Sequence, residues 1–299
     1  MPQYFSNGKL LLSAEYMVLR GARALAVPTQ LGQSLSFEKD KSEILKWESW
    51  DQNHQLWFQA SLDLLDFKVL ETNETNIARR LVQILKSVRI QKNDFLNESG
   101  GTVKTHLEFD RHWGLGSSST LISNVAQWTD TDPYKLLKKS FGGSGYDIAC
   151  ATAKGPIIYQ STPMEVRVEN CHFDPPFKNN LFFVYLNQKK NSSIAVEQFK
   201  KEEINSEKVD RASALTQAMI AAQTIDEFEQ IVTEHEQFIG AIIGDMPAKQ
   251  RLFKDFPGVV KSLGAGGGDF VMVTGNQSTP AYFKERGYPV VLGYKEIIT

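Results

Sequence analysis

The chain has 299 residues, of which 23% are charged and 41% hydrophobic, and its net charge is −2 at neutral pH. This is ordinary globular composition, enough for one large domain or two lobes, and it provides no basic field that would hold nucleic acid. No apolar run approaches the roughly 20 residues of a membrane span, and no charged segment followed by a long apolar run opens the sequence.

Residues 1–38 read as strands around a turn: Leu10-Leu11-Leu12 is a buried run, and Arg20-Gly21-Ala22-Arg23 turns into the apolar Ala24-Leu25-Ala26-Val27. Residues 43–70 alternate apolar and polar around Trp47, Trp50, Trp57 and Phe58, the period of antiparallel strands. Ile77, Leu81, Val82, Ile84, Leu85 and Val88 fall at helical spacing, and Ala78-Arg79-Arg80 predicts a solvated face of that helix. Residues 103–109 predict a strand and 121–128 a helix. Asp132-Pro133 starts a short helix through Lys139, an acidic cap followed by proline at the first helical position. Residues 161–180 are polar and carry Pro163, Pro175 and Pro176, which places a lobe boundary within 172–180 and divides the chain into 1–175 and 176–299. Residues 181–186 predict a buried strand. Thr224-Ile225-Asp226-Glu227 is a capping-box start. The helix after it is expected to bury Phe228, Ile231, Phe238 and Ile242, to end near Met246-Pro247, and to carry Glu234-His235-Glu236 on a wet face. Mixed strands and helices in this order predict an α+β fold in two lobes.

Cys150 and Cys171 stand apart without metal-ligand spacing, which predicts free thiols in a reducing cytoplasm. His54, His106, His112, His172 and His235 are scattered, which argues against a zinc site.

Gly114-Leu115-Gly116-Ser117-Ser118-Ser119 lies between the predicted strand at 103–109 and the helix at 121–128. A glycine-rich turn opening a helix presents backbone N–H groups and the positive end of the helix dipole, and both favour phosphate. The serines can bond phosphate oxygens or Mg²⁺, and the same residues serve equally as a helix cap. The loop is not a Walker A motif, because no Gly-Lys-Ser/Thr follows, and the third glycine of a dinucleotide fingerprint would fall at Ser119. Asp147 follows Gly142-Gly143-Ser144-Gly145, a flexible turn that can hold a carboxylate against a substrate or merely expose it. Tyr146 replaces the closing glycine of a nucleophile elbow. The run at 264–268 lets backbone approach a ligand closely, or makes a tight hairpin before the apolar strand Phe270-Val271-Met272-Val273.

Three segments in order resemble the three motifs of the GHMP kinases, a family named for galactokinase, homoserine kinase, mevalonate kinase and phosphomevalonate kinase. They are Gly8-Lys9-Leu10-Leu11-Leu12-Ser13-Ala14-Glu15-Tyr16, the loop at 114–119, and Ser262-Leu263-Gly264-Ala265-Gly266-Gly267-Gly268-Asp269. The resemblance covers nearly the whole chain. It implies an α+β fold with an N-terminal lobe like domain 2 of ribosomal protein S5 and a ferredoxin-like C-terminal lobe. It also implies ATP, Mg²⁺ and a small-molecule acceptor. Lys9 matches the lysine near the acceptor hydroxyl, and Asp147 matches the aspartate that accepts its proton. Glu15 and Tyr16, with Ser144 and Gly145, would meet the acceptor; Glu15 would bond it or orient Lys9. Gly114, Leu115, Gly116, Ser117, Ser118 and Ser119, with Gly266 and Gly267, would hold the nucleotide, and Ser118 the metal.

The Glu15-Tyr16 pair and Gly-Ala-Gly-Gly-Gly-Asp look like the phosphomevalonate branch, since mevalonate kinase and galactokinase usually show histidine at Tyr16. The implied reaction is transfer of the γ-phosphoryl group of ATP to a hydroxyl or phosphate of an isoprenoid precursor, phosphomevalonate or mevalonate. Diphosphomevalonate decarboxylase, a sugar or homoserine kinase, and a non-catalytic nucleotide-binding pseudokinase are the alternatives. An anionic acceptor would call on cations among Arg111, His112, Lys138, Lys154, Lys189 and Lys190. The chain departs from the family pattern at Asp110-Arg111-His112-Trp113, where proline and glycine usually lead into motif two, and in its short segment between that motif and Asp147. The mevalonate-kinase glutamate that helps hold Mg²⁺ would fall near Leu136, where no acid stands.

Overall fold

The computed structural model describes every residue except Met1, 189–195, 198, 200, 201, 265–268 and Thr299. Two compact units interleave along the chain. One comprises Met1–Gly8, Leu31–Arg111 and Leu115–Thr152; the other comprises Lys9–Gln30, His112–Gly114 and Ala153–Thr299. The position 175 thus falls inside the second unit. Strands β1 (Gln3–Leu11) and β2 (Ala24–Lys39) each contribute residues to both.

In the first unit the chain runs through β3 (Ile44–Trp50), β4 (Leu56–Asp63), β5 (Val69–Thr72), α1 (Thr75–Gln91), β6 (Gly101–Leu107), α2 (Ser117–Thr129), α3 (Pro133–Ser140) and α4 (Tyr146–Ala151). The strands lie in the order β5-β4-β3-β6-β2. All neighbours are antiparallel except β3 and β6, which run parallel because α1 crosses between them. Alternation puts Leu45, Trp47, Phe58, Leu62 and Val103 on the face that packs against Leu81, Ile84 and Leu85 of α1, Ile122 and Val125 of α2, and Leu136 and Leu137 of α3. Asp132 caps α3 as its sequence predicts, accepting hydrogen bonds from the N–H groups of Tyr134 and Lys135. The expected solvated stretch at 78–80 is corrected at Ala78, which is fully buried; Arg79 and Arg80 are exposed, and Arg80 also donates to the Ser140 carbonyl at 2.7 Å.

In the second unit, residues 24–26 of β2 pair with β7 (Ile157–Ser161), and β7 pairs with β8 (Val166–Asn170). There follow β9 (Leu181–Tyr185), α5 (Ser206–Ala221), α6 (Ile225–Ile243), α7 (Ala248–Leu252), β10 (Val260–Leu263), β11 (Phe270–Thr274), α8 (Thr279–Glu285), β12 (Val291–Gly293) and α9 (Tyr294–Ile297). The four antiparallel strands lie in the order β10-β11-β9-β12, the ferredoxin-like arrangement. Val184, Val271 and Val273 of this sheet pack against Ala248, Phe253 and Phe283.

The capping box of α6 is present in full: Thr224 accepts the Glu227 N–H, and Glu227 accepts the Thr224 N–H. Two expectations for this helix are corrected. It ends at Ile243, where Gly244 takes a left-handed conformation, rather than near Met246-Pro247. Its buried stripe is Phe228, Val232, His235, Glu236 and Ile239, so His235 and Glu236 are interior residues and only Glu234 of the expected wet face is exposed. Ile231, Phe238 and Ile242 form half-buried shoulders of that stripe. Among the described residues, no helix is long and apolar enough to cross a membrane.

Candidate active site

The glycine loop opens α2. Gly116 stands at the N-cap of α2 with φ +92°, a conformation costly for any residue with a Cβ, and no side chain caps the helix. The first helical bond is the Thr120 N–H to the Gly116 carbonyl at 2.9 Å. The N–H groups of Ser117, Ser118 and Ser119 therefore have no acceptor within their own helix, which suits an anion. Ser118 is exposed, while the Ser119 hydroxyl turns back to the Gly116 carbonyl at 2.8 Å. The helix is anchored on β2 by Thr120 and Asn124, which donate to Gln33 at 2.7 and 2.8 Å. The Leu115 side chain is fully buried. We expect Gly116→Val to abolish detectable ATP binding while the protein stays folded, because a β-branched residue cannot hold this φ without moving the loop. Titration with a fluorescent ATP analogue, with circular dichroism as the control, measures it; unchanged affinity would remove the phosphate assignment.

Lys9 and Gly114 meet in the second unit. The Lys9 ammonium donates to the Gly114 carbonyl at 3.0 Å. A Cβ built on Gly114 would stand 1.8 Å from the Asp269 carboxylate, and Gly114 has φ +67°, so only glycine fits there. Motif one and the end of motif three thus bracket Gly114 with a cation and an anion. Gly266 and Gly267 lie outside the described residues, as do Lys189 and Lys190.

Glu15 and Tyr16 belong to a buried, strained turn. Ala14 and Tyr16 both have positive φ, 56° and 62°, at a cost of order 1–3 kcal/mol each. The Glu15 carboxylate is 3% exposed and accepts from the fully buried Lys261 at 2.5 Å, so its partner is Lys261. Lys261 also donates to the Ser262 carbonyl at 2.9 Å and lies 3.9 Å from Glu236, whose carboxylate accepts the Ser262 N–H at 3.0 Å. Burial pushes Glu15 and Glu236 above the usual carboxylate range, opposed in both by the Lys261 charge. His235 Nε2 accepts the Ala14 N–H at 2.9 Å, and the ring lies 3.5 Å from Glu15. With Nε2 used as an acceptor the ring is neutral, and the contact with Glu15 is no ion pair; burial, then Lys261, holds His235 well below the usual histidine range. Sequence reasoning missed Lys261, His235 and Glu236. The available signal was Lys261 itself, a lone cation inside the apolar run at 259–263.

In the first unit, Gly145 caps α4 in a left-handed conformation, Ser144 and Asp147 are half-buried, and Asp147 lies in the helix's first turn. The Asp147 carboxylate accepts the Ile148 N–H at 3.2 Å. Its charge also acts on Tyr134, whose hydroxyl is pushed up to about 12, by burial first and Asp147 second. Leu136, where the family's metal-holding acid would fall, is fully buried. Arg111, His112, Lys138 and Lys154 are all exposed.

No protein-family model and no curated protein sequence matches the chain. Solved structures do match, and they give the class: the chain has the fold of the GHMP kinases. Methanococcus jannaschii mevalonate kinase matches with a TM-score of 0.69 at 18% identity, over 95% of this chain and 94% of that one. Streptococcus pneumoniae phosphomevalonate kinase, in complex with phosphomevalonate and AMPPNP, matches with a TM-score of 0.69 at 17% identity, over 96% of each chain. Lactococcus lactis galactokinase complexed with galactose matches with a TM-score of 0.68 at 10% identity, over 97% of this chain and 92% of that one. At these identities the likeness is one of fold.

Proposed function

We propose that the chain is an ATP-dependent phosphotransferase of the GHMP type, moving the γ-phosphoryl group to a hydroxyl or phosphate of a small molecule. The observation that carries this reading is Gly116, left-handed and uncapped at the start of α2, at the motif-two position of a fold shared with kinases. Phosphoryl transfer needs a cradle for the phosphates, a cation for their charge, an oriented acceptor and a base. In this reading the first-turn N–H groups of α2 hold phosphate oxygens. Mg²⁺, when bound, would neutralise phosphate charge; Ser118, exposed in that turn, fits it. Lys9 stabilises charge on the transferred group, and Asp147 takes the proton of the acceptor hydroxyl. Ser144, Gly145, Tyr16 and Glu15 position the acceptor. The Glu15 Oε2 atom has no hydrogen-bond partner among the described residues, although Oε1 is held by Lys261.

We assign the acceptor to an anionic isoprenoid precursor, phosphomevalonate or mevalonate, on the strength of Glu15-Tyr16 and the motif at 264–269. One observation favours a second reading, a neutral polyol: Lactococcus lactis galactokinase complexed with galactose shares the fold.

Coupled ADP-release assays with Mg-ATP across mevalonate, phosphomevalonate, diphosphomevalonate, galactose and homoserine decide between them. We expect turnover of phosphomevalonate or mevalonate. Turnover of galactose alone would overturn the isoprenoid assignment and leave the kinase standing. Release of CO₂ from diphosphomevalonate would make the chain a decarboxylase. Nucleotide binding with no turnover of any acceptor would leave a pseudokinase.

A further inference from the structure

We propose that His235 is a positioning residue: by accepting the Ala14 N–H, its Nε2 lone pair holds the strained turn that presents Glu15 and Tyr16, and protonation of the ring releases that hold. The inference deepens the kinase reading, on which the role of Glu15 and Tyr16 rests.

The turn has every reason to relax. Two residues with positive φ, Ala14 and Tyr16, flank Glu15, and neither is glycine. Such a conformation persists only where its surroundings over-determine it. Three contacts do so here. The Ser13 hydroxyl shares a 2.7 Å hydrogen bond with Thr216 of α5 and accepts the Leu25 N–H at 2.9 Å. Lys261 of β10 holds the Glu15 carboxylate. His235 of α6 holds the Ala14 amide. Of these, only the histidine contact has a donor–acceptor sense that a proton reverses. A proton on Nε2 would face the Ala14 N–H donor to donor, and it would add a cation to a site that already holds Lys261.

The charged groups around the ring are Glu15 at 3.5 Å and Lys261, with Glu236 beside Lys261. A protonated Nε2 would have Glu15 Oε2, unpartnered among the described residues and at 3.5 Å, as its nearest acceptor, so the proton turns the ring toward Glu15 and leaves the Ala14 N–H without its acceptor. The His235 Nδ1–H has no hydrogen-bond partner among the described residues, so nothing on that side compensates. The sign follows. The unfolded chain takes up a proton near the ordinary histidine value of about 6.5 and the folded chain does not, so stability attributable to His235 is complete above that pH and is lost as pH falls below it.

Two variants and one direct readout test this. His235→Gln keeps a side-chain acceptor that does not titrate; His235→Leu removes the acceptor. Amide hydrogen exchange of a peptide covering 11–18, compared at one pH, reports the Ala14 N–H. We expect protection in wild type and His235→Gln, and loss of at least about tenfold in His235→Leu. We also expect the acid limb of kcat/KM to lie at lower pH in His235→Gln than in wild type, because only the protonation of other groups, such as Asp147, then remains. Equal protection in all three proteins, or an acid limb unchanged in His235→Gln, would overturn the proposal. Should His235→Leu fail to fold, the pH profile of His235→Gln decides alone. The exchange readout uses no acceptor substrate, so failure of the kinase reading in the panel above is distinguishable from failure of the latch.

Discussion

Lys261→Met is expected to lower the unfolding free energy by about 3–5 kcal/mol, because removing one partner of a buried ion pair leaves an uncompensated charge. The lysine is fully buried and its partner Glu15 nearly so, with Glu236 close behind. Methionine fills much of the same volume, so the loss reports charge rather than a cavity. Urea unfolding followed by circular dichroism measures it. Adding Glu15→Gln should recover most of the loss, since an uncharged pair no longer needs solvation. The pH dependence has a definite sign. Burial raises the folded-state pKa of Glu15 above its unfolded value, so the native state binds the extra proton as pH falls, and the cost of stranding Glu15 shrinks. The destabilisation should therefore be larger at pH 8 than at pH 5. A change within about 1 kcal/mol at pH 8 would show that the pair contributes no more than a surface contact.

The second large effect concerns chemistry. Asp147→Asn preserves shape and the hydrogen bond to Ile148, but it cannot take a proton. If Asp147 is the base, the rate should fall by roughly 10²–10⁴ with the acceptor identified by the panel, and KM should change little. A loss under about threefold would assign Asp147 to positioning. The half-buried setting at the first turn of α4 suits either role, so the size of the loss carries the answer.

The parts of this molecule that were legible in its sequence are those whose cause is local. Asp132-Pro133 announces α3 because cap and first turn are neighbours in the chain, and Thr224 with Glu227 announces α6 for the same reason. Gly116 needed only the strand before it and the helix after it. The buried charge cluster was hidden because its members come from opposite ends of the chain. An apolar count along α6 selects Ile231, Phe238 and Ile242, whereas the centre of the buried stripe holds His235 and Glu236. Polar residues earn an interior place only through partners, and here those partners are Ala14, Lys261 and Ser262. The parallel pairing of β3 with β6 across α1 was likewise a matter of long-range contact that alternation within each strand does not reveal.

The separation of 246 residues between Glu15 and Lys261 also sets a clock. At synthesis rates of about 5–20 residues per second, the turn at 13–16 leaves the ribosome roughly 12–50 s before the strand that neutralises it. During that interval Glu15 cannot be buried and the left-handed turn has neither lysine nor histidine to hold it. The segment at 9–30 must therefore wait for its partners until β10 has been made, and the long loop it closes makes that pairing slow as well as late. Slower elongation lengthens the interval in which Glu15 lacks its lysine instead of relieving it.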